Sequence, residues 1–297
     1  MVSRKAAVTQ GDKIFYALCY LISGALALMV LYPLVYVLSA SISSASSVLS
    51  GRMLLFPVEL DFSGYKYVLQ YRSIWIGYRN TLIYTVSSTL LGIAITMVCA
   101  YPLARKNLAG RRIFTLIFTF TMIFSGGMIP NYLLIKNLRL LNTPWVMIIP
   151  GCMSVYNLIV TRTFIQSNIA DELLEAARID GCSDTYFFLR IVLPLSKTIC
   201  AVLAIQYAAA HWNAYFNAFL YLNSKELYPL QIFLRQILIQ SNFETDQLDP
   251  EAVARMQTIR QSMQYAIIVI STAPMLCMYP FAQKYFVKGM MIGSVKG

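Results

Sequence analysis

The chain has 297 residues, 58% of them hydrophobic and only 12% charged, and carries a net charge of +11. That balance excludes an ordinary soluble globular domain and fits a polytopic membrane protein. Nucleic-acid binding is excluded as well, because no basic run has the length or aromatic interleaving of such surfaces. The basic residues instead flank apolar segments, where they face anionic lipid.

A bilayer core needs about 20 apolar residues per helical span. Six windows meet that length, and they predict helices over about 14–41, 80–104, 113–135, 140–161, 198–222 and 261–283. The first is too long for a signal peptide and has no small-residue cleavage site after a short apolar core. Between spans one and two, residues 43–78 form a long loop with turn signals at Phe56-Pro57 and Phe62-Ser63-Gly64. Spans two and three are joined by a tight basic turn holding Arg105, Lys106, Arg111 and Arg112. Arg4, Lys5 and Lys13 precede span one, and Lys284, Lys288 and Lys296 follow span six. Short basic segments stay in the cytoplasm, so both termini and the segment between spans four and five are expected there. In span three, Ser125-Gly126-Gly127 and Pro130 interrupt the helix, as a hinge or as a point of close packing. The loop before span six reads as an amphipathic helix from Leu230 to Ile239, a polar tip at Ser241–Glu251, and a second helix entering the span. The six cysteines (Cys19, Cys99, Cys152, Cys182, Cys200, Cys277) lack Cys-x-x-Cys spacing. Five of them lie in apolar windows, where cysteine acts as a small hydrophobe. The whole chain, 1–297, reads as one transmembrane domain.

The segment between spans four and five carries the chemistry. Asp171 or Asn168 can cap a helix with Glu172 in its first turn. Ala170, Leu173, Leu174 and Ala177 recur at helical spacing and make one apolar face, while Glu172, Glu175 and Arg178 lie elsewhere on its surface. Gly181 stops the helix, since glycine turns left-handed without steric penalty. Ser183 can cap a second short helix through Arg190, and Pro194 breaks it before span five. Ala176 and Ala177 keep one side slim enough to enter a partner's groove.

Glu175-Ala176-Ala177, three residues, Gly181, nine residues, then Ile191-x-Leu193-Pro194 resembles the signature of permease subunits of bacterial ATP-binding-cassette (ABC) importers. The likeness extends over nearly the whole chain. It is greatest to maltose-permease G-type subunits and, through Phe124–Pro130 and His211-Trp212-Asn213, to the LplC/YtcP-like carbohydrate permeases. The resemblance implies an all-α integral membrane fold of the type I importer (MetI-like) class, with six helices, a core region of about 76–284 and a cytoplasmic coupling hairpin over 170–197. It implies that Glu175, Ala176, Ala177, Asp180, Gly181, Ile191, Leu193 and Pro194 couple the chain to an ATPase. The implied partners are a second homologous permease, two ATPase subunits and an extracytoplasmic sugar-binding protein, in a bacterial cytoplasmic membrane. The basic C-terminal tail, Gly289–Gly297, is implied to reach the ATPase. ATP and Mg would bind the ATPase and no cofactor would bind this chain. That suits the sequence, which has no Gly-x-x-x-x-Gly-Lys-Ser/Thr loop; Ser196-Lys197-Thr198 follows Pro194 and Leu195 rather than glycine.

Span five is the most polar-aromatic. Tyr207, His211 and Tyr215 fall at i, i+4, i+8, beside Trp212 and a second stripe of Asn213 and Asn217. They are candidates for a sugar pathway, since aromatic faces stack on sugar rings and amides bond hydroxyls. Helix–helix hydrogen bonding is the competing role for such residues. A secondary carrier or channel is the alternative function, but the six windows hold no Asp, Glu, Lys or Arg for ion coupling. A membrane enzyme built on Glu172, Glu175 and Asp180 lacks any accompanying histidine or metal-ligand spacing. External Arg79 and Lys136 suit an acidic sugar and serve equally well as membrane-interface anchors.

Overall fold

The computed structural model describes residues 9–239 and 250–294, with side chains placed up to residue 238 and, in the last helix, between 258 and 280 and at 283. Most of the polar tip at Ser241–Glu251 lies outside the described residues, and the basic tail is described, in backbone only, as far as Ser294. The regular structure among the described residues is helical, with one isolated antiparallel bridge between Ser43 and Leu60.

Helix α1 spans Gln10–Ser41. Its start is fixed by a capping box: the Thr9 hydroxyl accepts from the Asp12 amide (3.3 Å), and the Asp12 carboxylate accepts from the Thr9 amide (2.9 Å). It ends at Ser41, as expected. Helix α2 covers Arg72–Ala104 and begins well before the apolar window, since Arg79 and Asn80 interrupt apolarity without interrupting a helix. The third window divides into α3, Arg111–Ile123, and α4, Met128–Asn137, bent by 112° at the break. The glycines there are a turn and not a close-packing point. Gly127 has φ +84°, and a Cβ on it would meet nothing within 4 Å. The fourth window is also no single helix: a short turn at Trp145–Ile148 precedes α5, Val155–Asn168, with Gly151 left-handed between them (φ +74°). Helix α6, Asp171–Ile179, follows. Then come α7, Lys197–Trp212, α8, Phe216–Tyr221, α9, Leu230–Ile239, and α10, Pro250–Ser294.

Among the described residues, three helices are long and apolar enough to cross a membrane. The number rises to five if each of two bent pairs counts as one span. The interruption expected in span three is thus present, and spans expected as single helices in the fourth and fifth windows are broken as well. Hydropathy registers burial in lipid or protein, and says nothing about where glycine permits a turn.

The chain packs as two compact units. One comprises residues 1–70 and 237–270, the other residues 71–236 and 271–297. In the first, Ala40, Val48 and Met53 form a small core with Tyr36, Val58 and Tyr265 packed against it. In the second, α2 is the central element and packs against α7 and α5. Its buried face reads Thr81, Thr85, Ser88, Thr89, Gly92, Thr96 and Ala100. Small residues at this spacing let neighbouring backbones come close, the packing mode of helices that gain nothing from hydrophobic exclusion in lipid. One core of this unit gathers Met97, Leu103, Leu158, Ile165, Leu174, Phe187, Val192 and Leu203, joining α2, α5, α6 and α7.

Candidate functional site

The segment between α5 and α7 folds as a hairpin. Its first arm is α6, and Asp171 and Glu172 place negative charge in the first turn, where the helix dipole favours it. The expected side-chain cap is absent. The N-cap residue is Ala170, while Asp171 is already helical and spends its carboxylate elsewhere. Lys106 Nζ lies 2.9 Å from Asp171 Oδ2, and Arg105 Nη1 donates to Asp171 Oδ1 at 3.5 Å. Asn168 donates its amide to the Phe164 carbonyl. The hydrogen bond from Lys106 holds the Asp171 carboxyl below its ordinary value, and the same bond raises the Lys106 ammonium above its own.

Only part of the expected apolar face of α6 is packed. Leu174 is buried and Ala177 half-buried, but Leu173 and Ala170 remain exposed, as does Ile179 at the far end. Glu175, Ala176, Arg178 and Asp180 are exposed as well. Glu175 makes no hydrogen bond or ion pair among the described residues. The helix stops as its sequence requires. Gly181 has φ +77°, its amide donates to the Arg178 carbonyl (3.0 Å), and the Cys182 amide donates to that of Ala177 (2.9 Å).

The second arm begins where Ser183 Oγ accepts from the Tyr186 amide, capping Asp184–Phe187. Arg178 Nη2 donates to Asp184 Oδ1 at 3.2 Å and ties the two arms across the turn. Instead of an α-helix to Arg190, the chain widens into a π-turn over Phe188–Val192, followed by a short turn at Leu193–Leu195. Pro194 supplies the reason. It has no N–H to give the carbonyl four residues back, so the ladder slips to a wider spacing just upstream. Val192 is buried, Ile191 and Leu193 are half-buried, and Pro194 is exposed. The arm then bends by 76° into α7. The hairpin thus presents Glu175, Ala176, Asp180 and Gly181 outward, while Ala177, Ile191 and Leu193 help seat it.

Arg105, just past α2, was singled out in the sequence only as a topology charge. Its guanidinium carbon lies 4.9 Å from the Tyr101 ring centroid and 5.2 Å from that of Phe187. The side chain is 11% exposed, against 80% for Lys106. A cavity of about 280 Å³ opens beside it, lined by Lys106, Arg111, Gln166, Asp171 and Glu172.

The polar residues of span five do not share one stripe. Helix α7 ends at Trp212, and the chain turns through Asn213–Tyr215 before α8 resumes, so Tyr215 and Asn217 leave the periodicity that joined them to Tyr207. Tyr207 is 3% exposed; its hydroxyl lies 2.6 Å from Thr96 Oγ1 and accepts from the Ser154 amide at 3.1 Å. Trp212 is buried and donates Nε1 to the Ser271 carbonyl (3.0 Å). His211 is half-buried, whereas Asn213, Tyr215 and Asn217 are exposed. The structure also joins residues the sequence did not connect. Asn80 Nδ2 donates to the Glu226 and Tyr228 carbonyls (2.7 and 3.1 Å), and the Tyr84 hydroxyl to that of Leu227 (3.0 Å). Their i, i+4 spacing on an apolar helix was the available signal. These contacts place the loop at residues 226–230 beside the start of α2, and the hairpin lies beside its end.

Long apolar helices with one polar hairpin set between them make this a multi-pass membrane protein in architecture. The family model described as "Binding-protein-dependent transport system inner membrane component" matches residues 89–292. The chain is 37% identical over 289 residues to Protein LplC of Bacillus subtilis (strain 168), covering 97% of each. It is 37% identical over 286 residues to the polygalacturonan/rhamnogalacturonan transport system permease protein YtcP of the same organism, covering 96% of this chain and 99% of that one. Among solved structures, it matches a chain of a bacterial ABC transporter involved in the import of the acidic polysaccharide alginate. There the TM-score is 0.85 at 34% identity, over 95% of this chain and 100% of the other. The chain belongs to the family of binding-protein-dependent transport system inner membrane components, and is a non-catalytic transport subunit rather than an enzyme.

Proposed function

We propose that this chain is one of two permease subunits of an ABC importer that carries an oligosaccharide, uronate-containing in its preferred form, across the bacterial cytoplasmic membrane. The observation that supports this most is likeness over nearly the full length to a permease named for polygalacturonan and rhamnogalacturonan transport and to a structure named for alginate import. In this reading the chain crosses the membrane six times with both termini in the cytoplasm, the two broken pairs counting as spans. The hairpin over 170–197 is the coupling element. Glu175, Ala176 and Asp180 face a groove of a separate ATPase, with the free Glu175 carboxylate meeting a basic group there. Gly181 makes the turn, and Ile191, Leu193 and Pro194 shape the return. Two ATPase copies hydrolyse Mg-ATP, and an extracytoplasmic binding protein delivers the sugar.

The sugar-facing groups proposed are Asn213, Tyr215 and Asn217, with His211 behind them, because these keep exposed polar edges. Tyr207 and Trp212 form the wall, since their own polar atoms are already used. Arg79 and Lys136 are the proposed contacts for sugar carboxylates. A secondary carrier is the weaker reading, since the likeness is to permeases of binding-protein-dependent systems. The deciding experiment is a mild-detergent pull-down of the tagged chain from its native membranes, followed by mass spectrometry. One ATPase, a second permease and a binding protein are expected together, and recovery of the chain alone or as a homo-oligomer would overturn the proposal.

A further inference from the structure

The basic turn after α2 was expected to set topology, and for that purpose any exposed lysine or arginine serves. Arg105 is built differently from its neighbour. Its side chain is only 11% exposed, and it touches both arms of the hairpin. Nη1 reaches Asp171, the first residue of the first arm, at 3.5 Å. The guanidinium face lies 5.2 Å from the ring of Phe187 on the second arm, and that ring is wholly buried. Its other neighbour is Tyr101 of α2 itself, at 4.9 Å, and the Tyr101 ring packs in turn against Phe188 (centroids 5.2 Å apart). One planar cation is therefore the point where α2, the start of the hairpin and its return meet.

The site carries a cost that packing alone does not explain. Arg105 Nε and Nη2 are buried with no hydrogen-bond partner among the described residues. An under-satisfied buried cation is destabilising, and an apolar side chain of similar size would fill the same space more favourably. Lysine would keep the charge but lose the flat face that stacks on a ring. What the guanidinium supplies, and neither replacement does, is a directional link to two arms at once. Helix α2 is the element against which α5 and α7 pack, so whatever fixes the hairpin to α2 fixes it to the body of this unit.

We infer that Arg105 is a positioning residue of the transport cycle: a strut that passes movement of the 170–197 hairpin to α2. The inference rests on the coupling role proposed for that hairpin. Arg105 is largely buried whereas Glu175 and Ala176 face outward, so it acts on force transmission and leaves recognition of the ATPase intact.

The test uses the complete importer, with partner permease, ATPase and binding protein, reconstituted in proteoliposomes. R105Q is expected to retain the ATPase in a pull-down at the wild-type level. Transport should fall about tenfold while ATP hydrolysis falls much less, so that ATP consumed per sugar rises severalfold. R105K should restore charge without coupling. F187L, which removes the stacking ring and leaves the Asp171 contact, should raise the same ratio; it also serves as the readout if R105Q does not assemble. K106Q, at the exposed neighbour, should leave the ratio within about twofold of wild type, as surface ion pairs contribute little. An unchanged ATP-to-sugar ratio in R105Q, or in F187L where R105Q fails to assemble, overturns the inference. A ratio fully restored by R105K also overturns it, because charge alone would then suffice. E175A separates this from failure of the coupling reading. If E175A uncouples or releases the ATPase while R105Q does neither, the strut is wrong and the hairpin right. If neither variant has any effect, the hairpin assignment itself falls.

Discussion

Replacing Gly77 by alanine tests the packing at the end of α2 remote from the hairpin. A Cβ built there would lie 2.9 Å from Leu230 Cα, 2.9 Å from Phe233 Cδ2 and 3.1 Å from the Leu230 nitrogen. Carbon–carbon contacts relax at about 3.5–4.0 Å, so the chain at Leu230 must retreat by about 0.6–1.1 Å. Leu230 is fully buried, and its amide donates to Thr81 Oγ1 at 2.9 Å. A retreat of that size breaks the bond and strains the neighbouring clasp of Asn80 on the Glu226 and Tyr228 carbonyls. Overpacking costs about 1–3 kcal/mol, and a buried donor left unpaired costs about 1–3 kcal/mol more. Alanine's better helix propensity returns about 0.5–1 kcal/mol. The net loss should be about 1–5 kcal/mol. It should appear as a melting temperature several degrees lower for the purified chain in detergent, followed by tryptophan fluorescence. Gly24→Ala is the matched control: nothing lies within 4 Å of its Cβ, so the midpoint should hold or rise slightly. Equal midpoints for Gly77→Ala and wild type would refute the close approach of Leu230 to α2.

Gly181→Val should uncouple sugar uptake from ATP hydrolysis while membrane insertion survives. Gly181→Asn should retain coupling, because asparagine tolerates the left-handed φ and the surrounding space is open; equal behaviour of the two variants in the uptake assay would contradict a backbone cause. Tyr207→Phe removes a buried hydroxyl and leaves the Ser154 amide unpaired, so stability should drop by about 1–3 kcal/mol with the apparent KM for sugar unchanged. A raised KM at wild-type stability would make Tyr207 a sugar contact instead. The Lys106–Asp171 pair predicts a broad pH plateau. The depressed Asp171 group contributes above its ordinary value of 3.8 and is lost as pH falls through its lowered pKa, while the raised Lys106 group contributes below 10.5 and is lost as pH rises through its raised one. The pair should therefore add no pH dependence to uptake anywhere between those two ordinary values, and a midpoint inside that window would belong to another group. Charge reversal at Arg79 and Lys136 should depress uptake of an acidic oligosaccharide but not of a neutral one; unchanged acidic uptake would remove them from recognition.

Much of the hairpin was legible because its signals are local. A positive-φ glycine, a serine cap and a proline each act within a few residues, and Gly181, Ser183 and Pro194 stand where their chemistry directs. The exact cap of α6 was missed because Asp171 was claimed by Lys106, a residue from another part of the chain. The same limit explains Arg105, whose partners Asp171 and Phe187 come from distant positions and whose importance lies in burial that sequence does not display. Span five misled through periodicity. The i, i+4, i+8 rule assumes an unbroken helix, and the turn at Asn213–Tyr215 contains neither glycine nor proline to announce itself.

The break between α3 and α4 has a bearing on the life of the chain before it meets any partner. Residues 121–130 are exposed throughout, and the turn falls within a segment that is apolar on both sides. An open turn in hydrocarbon costs several kcal/mol for each backbone group left without a partner. A subunit synthesised alone thus displays an unfinished surface at this turn. Abundance of this chain in the cell should accordingly follow the supply of whatever covers that turn, and a chain made in excess should be short-lived.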